Sequence, residues 1–231
     1  MWRRHSARPW RQVASLSTIG DGREHTQRTP VGLTTSRVWS KDQPFGTELA
    51  DATITETRLT ASGLAIGTDP CPYRLHFELS TFDDFVTARL AVRTAGQGWR
   101  RGLLLERSSS GAWSCTTEAD GQLDRPAPGG EMGLLAGAQD CDLGLSPLTN
   151  SMPVLRHRLH HGGGPVDLLM AWVAVPELAV SPSPQRYTFL RREPQARIVR
   201  FESLDSDFAA EISFDEHGLV LDYPGIARLV V

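Results

Sequence analysis

Only one lysine, Lys41, stands among the 24 basic residues, and only three cysteines occur in 231 residues. No G-x-x-x-x-G-K-[ST] phosphate loop, G-x-S-x-G nucleophile elbow or G-x-G-x-x-G dinucleotide turn is present. Cys71, Cys115 and Cys141 lie far apart and form no C-x-x-C pair, which leaves zinc ribbons and thioredoxin-type redox chemistry without ligands. They read as three reduced, buried or half-buried thiols in a cytoplasmic protein. No run approaches the roughly 18 apolar residues of a membrane span, so no stable membrane insertion is expected. Long amphipathic helices are also lacking: 21 glycines and 15 prolines, spread along the chain, leave few windows for one.

Charge is unevenly placed. Residues 1–40 hold seven arginines against Asp21 and Glu24, a balance of +5, which leaves −8 for residues 41–231 of a chain whose net charge is −3. Arg3, Arg4, Arg8 and Arg11 suit the start of a secretory signal, but Ser15, Ser17 and Thr18 interrupt the stretch that should be apolar. Residues 1–44 read as a basic, disordered extension, too poor in apolar surface to offset the entropy of ordering. Without interleaved aromatics they give no support to a nucleic-acid arm. Residues 45–231 read as one domain.

From residue 53 onward the period is mostly two. Leu75, Phe77 and Leu79 alternate with His76 and Glu78, and Val86, Ala88, Leu90 and Val92 alternate with Thr87, Arg89 and Arg93. This is the pattern of half-buried strands. Residues 208–214 and 219–223 repeat it on either side of Glu216-His217-Gly218, which predicts a C-terminal hairpin. Residues 131–139 suit a helical turn or two. Tyr223-Pro224-Gly225 reads as a strand end followed by a type II-like turn. Val166–Val175 is apolar on both faces, unusual for an antiparallel strand, and residues 155–161 read as its mixed neighbour. A sheet curled around an apolar concavity fits both; on period alone an ordinary sandwich core is the stronger reading.

Three histidines invite a metal site, but His157, His160 and His161 match no metalloprotease helix, and on a strand His157 and His161 would sit about 13 Å apart. They read as surface or edge residues, and no metal or other cofactor is expected. Asp83-Asp84, Asp140/Asp142 and Asp205/Asp207 are acidic pairs of the kind that perform acid–base chemistry, although Asp205 and Asp207 lie where capping of turns is the simpler role.

Five segments, in order, carry a resemblance: Gly111-Ala-Trp113; Asp140-Cys-Asp-Leu143; Ser146-Pro-Leu-Thr-Asn-Ser-Met-Pro-Val154 with Arg156; Val175-Pro-Glu-Leu178 with Gln185-Arg-Tyr187; and Glu202–Phe208 running into Asp215–Gly225. Over about residues 53–231 the chain resembles a glycolipid-binding family once classed as a domain of unknown function. Cys141, Leu148 and His157 depart from that family's pattern, the last removing one of a pair of arginines. The resemblance implies an all-β domain built on a long, strongly curved antiparallel sheet, a β-roll or half-barrel, with few short helices and no assigned catalytic residues.

The expected function is therefore non-catalytic binding of a lipid or glycolipid in an apolar concavity, with no nucleic acid as partner. Leu103, Leu105, Met170, Trp172 and Phe214 are expected to line it. Arg101, Asn150, Arg156 and Gln185 are the candidate head-group ligands, and Trp113, Trp172, Tyr187 and Tyr223 the candidate aromatic contacts. The rivals are an enzyme using a carboxylate base in the same cavity and a protein-interaction module that takes a partner strand.

Overall fold

The computed structural model describes residues 32–231. Its strands are β1 (Leu33–Asp42), β2 (Phe45–Ile54), β3 (Leu59–Gly67), β4 (Tyr73–Thr81), β5 (Thr87–Gly96), β6 (Trp99–Arg107), β7 (Trp113–Gly121), β8 (Asp140–Leu143), β9 (Val166–Val173), β10 (Val180–Arg192), β11 (Arg197–Ser203), β12 (Ala209–Phe214), β13 (Val220–Tyr223) and β14 (Ala227–Leu229). One six-residue helix, α1 (Ser151–Arg156), interrupts them, preceded by a 3-10 turn at Leu148–Asn150. All fourteen strands form one sheet in the order β7-β6-β5-β4-β3-β2-β1-β14-β13-β12-β11-β10-β9-β8. Every pairing is antiparallel except β8 with β9, which is parallel.

The alternation read from the sequence decides which face is covered. In β4, Tyr73, Leu75, Phe77 and Leu79 are buried while Arg74, His76 and Glu78 face water. Burying one apolar row per strand is the main stabilising term, at about 25 cal/mol per Å² of apolar surface. The close pairing of β3 and β4 depends on Gly63, opposite Phe77, where an added Cβ would run into the aromatic ring. The two edges of the sheet approach each other around residues 129–139: Gly129 bridges Ala179 and lies against Thr117 of β7, and Thr87 of β5 donates its N–H to the Gln139 carbonyl. The all-β fold with a long curved sheet is as expected. So is the hairpin of β12 and β13, and Gly225 takes the left-handed φ of +80° that a type II turn needs after Tyr223-Pro224. The expected turn within 131–139 is a 3-10 helix at Met132–Leu135.

Two expectations are corrected. The domain does not begin at residue 45. Strand β1 pairs along its whole length with β2 and, at Trp39 and Ser40, with β14, so it joins β2 to β14 in the middle of the sheet. Trp39 in its middle is fully buried and donates its indole N–H to the Val220 carbonyl at 2.9 Å. Lys41 is buried as well, paired with Glu48 at 3.0 Å. The part of the proposed extension at residues 1–31, and the leader reading with it, lies outside the described residues. Nor are residues 155–161 a strand. They continue out of α1 into turns, with Leu155 and Leu159 buried and His157 and His161 exposed.

A filled interior and an outer groove

The curve of the sheet is occupied by the chain itself. From Leu148 to Leu155 every side chain is buried. Leu148 and Met152 pack into the larger hydrophobic cluster with Leu90, Leu103 and Leu105, while Val154 packs into a second one with Tyr187, Phe201 and Phe214. The expected acyl-lined concavity is therefore a packed core: Leu103, Leu105, Met170 and Phe214 are inside it, and Trp172 points outward at 38% exposure.

A buried polar network holds the 148–156 segment in place. On β8, Asp140 and Asp142 point to the same side, two residues apart. Both terminal guanidinium nitrogens of Arg156 bind the Asp140 carboxylate, the Nη1 bond at 2.7 Å. Asp142 accepts from Gln185 Nε2 at 2.8 Å and Thr149 Oγ1 at 3.0 Å. The Tyr187 hydroxyl lies 2.9 Å from Asn150 Oδ1 and 3.1 Å from Gln185 Oε1. Beside it Ser146 donates to Glu48 at 2.6 Å. Burial pushes the Asp142 carboxyl above the usual carboxylate range against the pull of Gln185 and Thr149. Burial raises Asp140 too, opposed by its arginine. Satisfied networks of this kind rigidify a core.

The eight expected ligand residues are thus not brought together around an open site. Asn150, Arg156, Gln185 and Tyr187 bind one another or the two aspartates. Trp113 is buried with its indole donating to the Ala138 carbonyl at 3.1 Å. Tyr223 is buried beside Phe201 and Phe208, at centroid distances of 6.0 and 6.2 Å. Arg101 follows the core-facing row and caps the Arg100 and Asp120 carbonyls through Nη1 at 3.0 and 3.2 Å. Only Trp172 keeps an exposed side chain. The acid pairs stay apart from any groove described below: Asp83 pairs with Arg58 on the surface at 2.7 Å, and Asp205 accepts from Ser203 at 2.6 Å. No cluster of three or more metal-ligating side chains occurs among the described residues, and none of their helices is long and apolar enough to cross a membrane.

Open space lies on the opposite face. Where β2 to β7 twist, their solvent side encloses a groove of about 660 Å³. It continues into a second of about 610 Å³, and both share His76, Arg93, Gly102 and Glu118. The pairing registers align one row across six strands, running Leu49, Leu64, His76, Arg93, Gly102, Glu118. The next row runs Thr47, Ile66, Arg74, Ala95, Arg100, Asp120. The β2–β3 end exposes apolar side chains next to Asp51 and Ser62: Leu49 is 38% exposed, Leu64 40% and Ile66, in the adjoining row, 45%. The β4–β7 end is charged. Leu104 of β6 and Ala91 of β5 give the floor further apolar surface. Alternation carried a signal for this site. On half-buried strands the outward positions should be polar, and Leu49, Leu64 and Ile66 break that rule.

Comparison with known proteins agrees with the fold. A family model described as "Putative glycolipid-binding" matches residues 36–228. A crystal structure of a DUF1089 family protein from Pseudomonas aeruginosa is similar, with a TM-score of 0.59 and 23% identity over 78% of this chain and 91% of that one. No curated protein matches the sequence significantly. With its fourteen-stranded sheet and a family match that runs from β1 to β14, the chain belongs to the Putative glycolipid-binding family.

Proposed function

We propose that the protein binds a glycolipid in the outer groove of β2–β7 and performs no chemistry on it. The observation that carries this reading is the row Leu49–Leu64–His76–Arg93–Gly102–Glu118, which grades from apolar to ionic across one open groove. An amphiphile has the same gradient. Its first methylenes lie on the leucines of β2 and β3, while its head group meets hydrogen-bonding side chains on β4 to β7. The volume suits a small-molecule site of about 300–1,000 Å³. Covering about 150 Å² of apolar surface would contribute roughly 4 kcal/mol before association costs are subtracted. That magnitude fits reversible capture of the region where chain meets head group, not enclosure of whole acyl chains.

Leu64→Glu tests the reading. It places a charge in the apolar end without touching the core, so the fold should survive. Glycolipid affinity, measured by native mass spectrometry and by thermal shift, should fall at least about tenfold. Unchanged affinity in a folded variant would exclude this groove.

A further inference from the structure

We propose that the ligand of the outer groove carries an anionic head group, a sulfate or phosphate on its sugar, held over β4–β6. The inference rests on the groove being the ligand site and adds the chemical class of the ligand. Arg74 of β4 is exposed, has no ion-pair partner among the described residues, and stands directly across from Ile66. Arg100 lies in the same row, paired with Asp120 at 2.9 Å, both groups largely in water. Arg93 and His76 stand next to each other in the neighbouring row. Behind them, on the core-facing side, Arg101 is only 8% exposed and has no carboxylate within ion-pair distance among the described residues; its Nε is buried without a hydrogen-bond partner.

The outward Arg74, Arg93 and Arg100, with the buried Arg101 behind them, line this end of the groove together with Glu118 and Asp120, an excess of two positive charges. Residues 33–231 carry −7, because residues 1–32 hold six arginines against Asp21 and Glu24. A net positive groove end in an acidic domain attracts anions locally. Sulfate and phosphate oxygens match the planar donor fork of arginine better than sugar hydroxyls do. The apolar strip begins on β3, the strand next to β4, at about 4.8 Å per strand, so head group and first methylenes are engaged together.

The test compares phosphatidylcholine vesicles doped with sulfatide or with galactosylceramide of the same ceramide, two lipids that differ only by the sulfate. Sulfatide should bind about tenfold more tightly at low salt, with the gap closing as salt is raised. In Arg74→Ala/Arg100→Ala, two exposed positions, the gap should close, with sulfatide binding falling to the level of galactosylceramide. Equal binding of the two lipids by the unaltered protein would overturn the anionic head group and leave the groove reading standing. Binding of neither would overturn both. A preference that survives in the folded double variant would overturn the placement over β4–β6.

Discussion

The ionisable residues inside the domain set its stability more than they set its recognition. Asp140 and Arg156 have side chains exposed by 1% and 8%. Removing one partner from such a pair leaves an uncompensated buried charge, which costs about 3–5 kcal/mol. Arg156→Met should therefore lower stability by that amount in urea unfolding, and Asp140→Asn added to it should restore part of the loss. His160 behaves differently. Burial, and the neighbouring His161, hold its pKa down to about 4 against an ordinary 6.5. The folded state binds the proton less well than the unfolded chain. Its contribution is therefore fully present above about pH 6.5 and is lost as pH falls toward 4. In His160→Gln the fall in stability across that interval should be shallower than in the unaltered protein, as read by thermal unfolding at a series of pH values. The motif residues Asn150, Arg156, Gln185 and Tyr187 were legible as special, because their order and spacing are distinctive. Their role was not: sequence shows which residues recur together, but whether a polar side chain faces a ligand or another buried side chain is decided by tertiary burial.

At the scale of elements, the period of two marked β4 and β12 correctly because each buries one face only; it located β5 and β13 too, but Thr87 and Val220, on the rows read as outward, are fully buried. It failed at two places. Residues 155–161 mimic alternation, yet Met152, Leu155 and Leu159 fall at i, i+3 and i+7, one side of a helix, and the chain follows that spacing through α1 and the turns after it. Strand β1 was missed because Thr34, Thr35, Ser36, Arg37 and Ser40 make it polar in composition. Its buried contribution comes from two side chains, Trp39 and Lys41, and from main-chain pairing on both sides. A chain starting at residue 44 should accordingly lose its cooperative unfolding transition, since β2 and β14 would both be left with an unpaired edge and the Glu48 carboxylate would stay buried without Lys41. A truncated chain with unchanged thermal midpoint would show that β1 is dispensable.

At the scale of the whole molecule, curvature was foreseeable and its contents were not. A sheet of fourteen strands must curl to bury its apolar rows, and the apolar strand β9 hinted at cover on both faces. Nothing in the local pattern said that residues 148–159 would supply that cover and close the interior. What stays open is the far side of β2–β7, where outward leucines sit beside arginines. The proposed ligand site is this outer face and not the filled interior. A glycolipid carrying a photoactivatable group near the top of its acyl chain, cross-linked to the intact protein and mapped by peptide mass spectrometry, tests it most directly. The predicted adducts fall on β2, β3 and β6, around Leu49, Leu64 and Leu104; adducts concentrated on residues 148–159 or around Trp172 would contradict it.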